Sequence, residues 1–465
     1  MKAASNLSRF FDRRLFSLGI LQSLLFLVFH SSVIISFESS DYTFISSTTI
    51  LATMLTLILG VFVKYHRRSR VGILICGTVC ATLGTVGIHY FPVDTVVLIT
   101  ESVLLGAGIG IFIPFVGKIF SSASLGVATR QTFLSMAFSA LLYFLILGFP
   151  EIVGTIVISL LPTALALIIL IPVSPNRLTH HKPEPTDQDE VSEIIRSRPV
   201  LVFFIGVGVL GFAFGFSMGF CSLYGLQVFN AANRWSVMII GVCALLYAFI
   251  MRPTKRSFDF GKCFSPIAPI ITIGLLIFPY ETFISSILIV MGFQLANMVV
   301  WIVFSWIASH SGLSQRVFCI GEGSMYAGMF IGSIAVRFTP LTYDLGGFPL
   351  ITISIVTCLL ILTIILIFNN SKVTYAIRAF SSETDLSYIT KTIELRCEEL
   401  GQKYGLSSRE KEVFGYLVQG RSLPYIEKVM FISHGTANSH RDHIYEKTKI
   451  HSKQDLLDLF FGIPK

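Results

Sequence analysis

The sequence predicts an all-α protein: a polytopic membrane bundle of twelve transmembrane helices, arranged six plus six, followed by a cytoplasmic four-helix domain. Three observations carry this. The chain is 53% hydrophobic and only 13% charged, about half the charge of an ordinary soluble protein. Apolar runs near the roughly 20 residues a spanning helix needs recur throughout the first 370 positions. The last 60 residues break that pattern and become polar, mixed in charge and periodic.

Twelve apolar runs can be counted, at about 15–37, 42–63, 71–91, 95–118, 130–149, 151–173, 199–224, 235–251, 263–279, 281–309, 313–337 and 345–368. The basic start, Met1 to Arg14, precedes a first run that is long and lacks a cleavage site, so it reads as an anchor and not as a removed signal peptide. Placing the N-terminus inside puts nearly all Lys and Arg on inner segments: Arg13 and Arg14, Lys64 to Arg70, Lys118 and Arg130, Arg177 to Arg198, Arg252 to Lys262, Arg316, Lys372 and Arg378. The outer turns keep only Arg234 and Arg337 and carry Glu38, Asp41, Asp94, Glu151, Glu281 and Asp344. The positive-inside bias therefore predicts that both termini are cytoplasmic.

The longest inner connection, 174–198, divides the helices six and six. With the basic turn Lys64 to Arg70 between helices two and three, and Gly106, Gly108 and Gly110 on helix four, this resembles the major facilitator fold. That superfamily's acidic residue and glycines in the basic turn, and its Arg on helix four, are missing here.

Polar side chains inside the spans are the next signal, because each is costly in lipid unless paired or wet. Glu322 lies well inside helix eleven in Gly321-Glu-Gly-Ser-Met-Tyr326. Glu101 lies on helix four toward the outer side. Gln294 and Asn297 share a face of helix ten, and Gln22 and His30 a face of helix one. One reading makes Glu322, Glu101, Gln294 and Asn297 signal-sensing candidates around a central cavity that binds an unknown small molecule or ion. The other makes them interhelical hydrogen bonds that fix the bundle.

Chemistry-bearing motifs are missing. The eight Cys contain no CxxC, and there is no phosphate-cradling Gly loop, HExxH or nucleophile motif. The sequence thus gives no catalytic residues, no metal site and no cofactor, and the expectation is that the protein is not an enzyme.

The linker, 371–404, carries Leu386, Ile389, Ile393, Leu400 and Tyr404 at helical intervals. It reads as a stalk, or as an amphipathic connector on the inner membrane face. The domain that follows, 405–465, reads as four helices. Ser407 or Ser408 caps the first, with Val413, Phe414 and Leu417 inward. The second runs from about Leu423 to Phe431, with Ile426, Val429 and Met430 inward. Ser433 caps the third, and the fourth covers Lys453 to Phe460.

Helix two, a tight turn and helix three have helix-turn-helix spacing. The pattern L-S-x-R-E-x-E-V-F, G-R-S, Ile426, S-x-x-T-A-N-S-H and I-Y-x-K resembles the LuxR-type (NarL and GerE-like) DNA-binding domain of bacterial regulators. Glu427, Ala437 and Thr448 depart from the family's usual small or branched residues. The resemblance implies double-stranded DNA as partner, with Asn438, Ser439 and Asp442 facing bases and Thr436, His440 and Lys447 on the backbone; Arg441 flanks the same face and can reach phosphate too. It also implies a homodimer on DNA, paired through the fourth helix at Leu456, Leu457 and Phe460. From Leu406 on there are nine basic and seven acidic residues, so non-specific attraction to phosphate is modest.

The expected whole is a membrane-bound bacterial transcription regulator, multi-pass in the plasma membrane and in contact with its lipid. Two alternatives stay open: a secondary transporter with a regulatory C-terminal domain, and a membrane scaffold whose helical module docks protein.

Overall fold

The computed structural model describes residues 13–30, 39–63, 69–90, 95–123, 125–171, 198–250, 267–278, 280–311, 313–338, 396–418, 422–452, 455–456 and 459–460. They divide into two compact units, Met1–Thr374 and Tyr375–Lys465. Every regular element among the described residues is helical.

The first unit runs α1 (Arg13–His30), α2 (Ser39–Phe62), α3 (Ser69–Tyr90), α4 (Thr95–Phe120), α5 (Leu125–Leu147), α6 (Glu151–Leu170), α7 (Arg198–Ile250), α8 (Ile267–Ile277), α9 (Thr282–Ser311) and α10 (Ser314–Ala335), with a 3-10 turn at Val336–Phe338. Nine apolar windows long enough to cross a membrane lie among the described residues. The expected breaks near residues 150 and 280 are present. Pro150 stands just before α6 with no backbone N–H to give, and a turn at Phe278 to Glu281 separates α8 from α9. The expected twelfth span, 345–368, lies outside the described residues. Runs seven and eight differ from expectation: they join in one helical stretch, Arg198–Ile250, holding two apolar windows, Val200–Gly219 and Asn230–Phe249. No proline interrupts the sequence between those windows, so nothing local ends the helical hydrogen bonding there.

The outward faces are oily. Leu59 of α2, Leu141 of α5 and Ile152 and Leu167 of α6 are each more than 60% exposed. An exterior of that kind suits hydrocarbon as solvent. The inside carries small polar residues, many of which donate back along their own helix or across to a neighbour. Thr53 and Thr85 donate to the carbonyls four residues back, and Ser23 reaches both Gly19 O and Ser139 O.

Missing side chains bring the backbones together at several helix pairs. Gly108 of α4 rests on Ala81 of α3, where an added Cβ would come within 2.6 Å of the Ala81 Cβ. Thr53 of α2 also donates to Gly106 O of α4 at 3.0 Å. In the second half of the unit, Gly211 and Gly215 of α7 lie against the carbonyls of Met325 and Met329 on α10. Gly328 and Gly332 of α10 lie in turn against the carbonyls of Gly208 and Phe212. Spacing by four puts each pair on one face, the small-residue route to close packing in lipid.

The second unit contains a helix over 396–403 (α11), then α12 (Ser408–Val418), α13 (Leu423–Met430) and α14 (His434–Thr448). Of the expected fourth domain helix, residues 455–456 and 459–460 are helical and the others lie outside the described residues. Cys397, Leu400, Leu406, Val413, Phe414, Leu417, Ile426, Ile444, Leu456 and Phe460 form one core. The end of the expected stalk is therefore part of the folded module. Cys397 and Leu400 are in its core, Lys411 of α12 pairs with Glu398 at 2.7 Å, and Arg396 Nε donates to Phe460 O. Most of the stalk, 371–395, lies outside the described residues.

Candidate functional site

The helix-turn-helix geometry begins with its caps. Ser407 and Glu410 form a reciprocal capping box on α12: the Ser407 amide donates to Glu410 Oε2 at 2.7 Å, and the Glu410 amide to Ser407 Oγ at 3.3 Å. Of the two expected caps, Ser407 is the one used. On α14, Ser433 accepts from the Thr436 amide, as its spacing predicts.

Three helix ends share one closing motif. Gly405, Phe431 and Lys449 take left-handed φ of 64°, 54° and 56°. The next amide, from Leu406, Ile432 or Ile450, bonds the carbonyl five residues back. That is the six-to-one bond of a Schellman cap, with an apolar residue following each left-handed one. The turn between α13 and α14 is thus Phe431-Ile432-Ser433, in which Phe431 is 95% exposed. Glu427, one of the departures from the usual pattern, holds His434 Nδ1 at 2.6 Å and ties α13 to the first turn of α14.

Along α14 the inward face is Ala437, Ile444 and Thr448, all buried. Ser439, Asp442, His443 and Glu446 are exposed, and Asn438 is half-buried beside them. The three expected base-facing residues share the outward side, because spacings of three and four fall on one face. Arg441 grips its neighbour Asp442 through both Nε and Nη2, at 2.9 and 2.7 Å. Thr436 is exposed and His440 half-buried.

The membrane unit holds a central cavity of about 140 Å³, lined from α1, α2, α4, α7, α9 and α10. Both halves of the chain contribute. Glu322, Gln294 and Asn297 all line it, and so does Gln22 of α1. Glu322 is 5% exposed, and its Oε1 and the Gln22 Oε1 have no hydrogen-bond partner among the described residues. The fourth sensing candidate, Glu101, is elsewhere: it is buried in the contact between α4 and α3, against Gly87. The side chain of His30 lies outside the described residues.

Comparison with known proteins assigns each unit a likeness. Residues 405–460 match the GerE family, described as bacterial regulatory proteins of the luxR family. Residues 405–460 are a LuxR-type helix-turn-helix domain. No curated protein matches the chain. Among solved structures, the human organic anion transporter MFSD10 (TETRAN) is similar with a TM-score of 0.51 and 12% identity, over 77% of this chain and 98% of its own. A bacterial homologue of the iron transporter ferroportin gives a TM-score of 0.49 at 13% identity, over 77% and 96% of the two chains. The major facilitator superfamily transporter FucP gives 0.44 at 13%, over 76% and 97%. At 12% identity the likeness to the first of these speaks for the fold alone, an all-helical, multi-pass major-facilitator-like architecture.

Within the LuxR-type domain three expectations meet other surroundings. Lys447 is not free in solvent. Its Nζ is 2.7 Å from Glu410 Oε2 and 3.3 Å from Gly405 O, bridging α14 to the start of α12. Burial raises the Glu410 pKa, but the hydrogen bonds from Lys447 and Ser407 and the Lys447 charge outweigh it and hold that carboxyl down at about 2. Leu456 and Phe460 are not a pairing surface either. They are 0% and 7% exposed, inside the domain's own core, with Phe460 against Phe414; Leu457 lies outside the described residues. A short terminal helix of a small domain is needed first to close that domain's core. Val429, expected inward, is 38% exposed. Glu410 itself went unread as a structural residue, although S-x-x-E at 407–410 is the sequence signature of its box.

Proposed function

We propose that this protein is a membrane-bound bacterial transcription regulator, whose LuxR-type domain binds double-stranded DNA in a sequence-specific manner under control of the transmembrane unit. The observation that carries this is a LuxR-type domain with a capped recognition helix on the same chain as a multi-pass unit whose cavity holds a buried acid. α14 would enter the major groove by its N-terminal end, with Asn438, Ser439 and Asp442 toward base edges. Asn438 can bond adenine bidentately, and the Asp442 carboxylate can accept from cytosine N4. Thr436, His440 and Arg441 flank that face and would position it on phosphates. The positive-inside distribution supports cytoplasmic termini in the bacterial cell membrane, which brings the domain to DNA. Two copies on adjacent half-sites would bind far better than one small domain; the pairing surface lies outside Leu456 and Phe460.

Occupancy of the cavity would act through its different affinity for two arrangements of the membrane unit, with Glu322, Gln294 and Asn297 as the sensing residues. No catalytic chemistry is part of this reading. A second reading, a secondary transporter with a regulatory domain, is favoured by the likeness to a transporter fold. Substrate uptake by reconstituted vesicles tests it.

The test of the first reading is selection of genomic DNA by the 375–465 fragment. A recurring sequence should emerge, and Asn438→Ala should relax preference at one base pair, by about 1–3 kcal/mol of lost discrimination. Binding with no preference for any sequence would refute it.

A further inference from the structure

The cavity wall is specific enough to name a ligand chemistry. Most of it is apolar or aromatic, including Phe26, Phe214, Phe293 and Trp301. Among the lining residues, two buried acceptor atoms, Glu322 Oε1 and Gln22 Oε1, and one buried donor, Trp301 Nε1, have no partner among the described residues. A buried acceptor left unmatched is costly, and more so where it belongs to a carboxylate.

Resting on the sensor reading above, we propose that the cavity binds a small amphipathic amine: an apolar body carrying one protonated nitrogen, seated with its ammonium on Glu322 and shared with Gln22. An ammonium has up to three donors and no acceptor, which is the complement of two open acceptors. Its charge offsets the one carboxylate of the inner wall, and aromatic faces attract cations. The apolar body replaces water along the rest of the lining. A neutral alcohol has one donor and no charge. An anion would meet Glu322 with like charge; the one cationic residue among the described lining, Arg337, is itself exposed. A hard metal ion wants six or more oxygen ligands, and the described residues hold no cluster of three metal-binding side chains.

The test uses the full-length protein in lipid nanodiscs and three probes of similar size: 2-phenylethylamine, 2-phenylethanol and 3-phenylpropionate, titrated by calorimetry. The amine should bind at least about tenfold tighter than the alcohol, and the carboxylate weakest, since a hydrogen bond to a charged group is worth about ten- to a hundredfold. Glu322→Gln should remove that advantage while keeping alcohol binding, which also reports that the variant is folded. Gln22→Met should weaken the amine several-fold, and decides the matter if Glu322→Gln does not fold. Glu101→Gln, outside the cavity, should change nothing. Equal binding of the three probes, binding by none, preference for the carboxylate, or an amine affinity indifferent to Glu322→Gln and Gln22→Met would each overturn the proposal. DNA selection by the 375–465 fragment lacks the cavity altogether, so a failure there counts against the regulator reading and not against the amine site.

Discussion

Removing the charge of Glu410 should change how the LuxR-type domain responds to acid. The carboxyl sits between Ser407, Lys447 and, more loosely at 3.7 Å, His443. Its pKa is held at about 2 against an ordinary 4.5. Each tenfold change in proton affinity is worth about 1.4 kcal/mol, so this gap would carry roughly 3 kcal/mol unscreened. The carboxylate is only 5% exposed, but Lys447 is 39% and His443 59% exposed. Water around those partners screens the attraction, and about 1–2 kcal/mol is the reasonable share. The sign follows from proton binding. The folded state holds its proton less tightly than the unfolded chain, so the contribution is complete above about pH 5 and disappears as pH falls from 4.5 toward 2. The assay is urea unfolding of the 375–465 fragment, which has its own core, from pH 7 to pH 2.5. The parent should lose about 1–2 kcal/mol more than Glu410→Gln across that range, with the Glu410→Gln profile flatter. Parallel profiles would refute the assignment of Lys447 to Glu410 and return that lysine to solvent.

Three further outcomes are expected. Phe431→Gly should stabilise the fragment by about 0.5–1 kcal/mol in urea, because the left-handed φ costs a side chain that much and the exposed ring has little packing to lose. Ser433→Ala should cost about 1 kcal/mol through the lost cap on α14, seen in the same experiment. Gly328→Val should drive a branched side chain into the Gly208 carbonyl of α7; the full-length protein should then lose its monodisperse peak in detergent chromatography, while DNA binding by the 375–465 fragment, which lacks the residue, is unchanged.

The spans and the helix-turn-helix were legible because both are periodic and local. Hydropathy over about 20 residues marks a lipid-facing helix. Ser433 announces the start of α14, and Ala437, Ile444 and Thr448 its inner face, by spacing alone. Glu322, Gln294 and Asn297 were legible as polar exceptions in apolar runs. Their shared cavity is a long-range fact, and so is the separation of Glu101, also a buried carboxyl but turned toward α3. Lys447 shows the same limit within the DNA-binding domain. Its place in the family pattern suggests phosphate, but its partner is 37 residues earlier, and nothing near 447 in sequence says so. Leu456 and Phe460 carry the same limit: the resemblance implies a pairing surface, but they fill the core together with Phe414, Cys397 and Leu400, far away in sequence.

The glycine contact between α7 and α10 has a mechanical consequence. Interdigitated leucines lock two helices in register, since sliding one must lift every knob from its hole. Gly211, Gly215, Gly328 and Gly332 leave no knobs, so the two backbones meet as smooth rails. Shallow relief means that displacement along the common direction meets little resistance, whereas separation forfeits the whole contact. Met325 and Met329 give α7 their carbonyls and the cavity their side chains. Pressure on those two thioethers from inside the cavity therefore falls on a helix that can glide more easily than it can tilt.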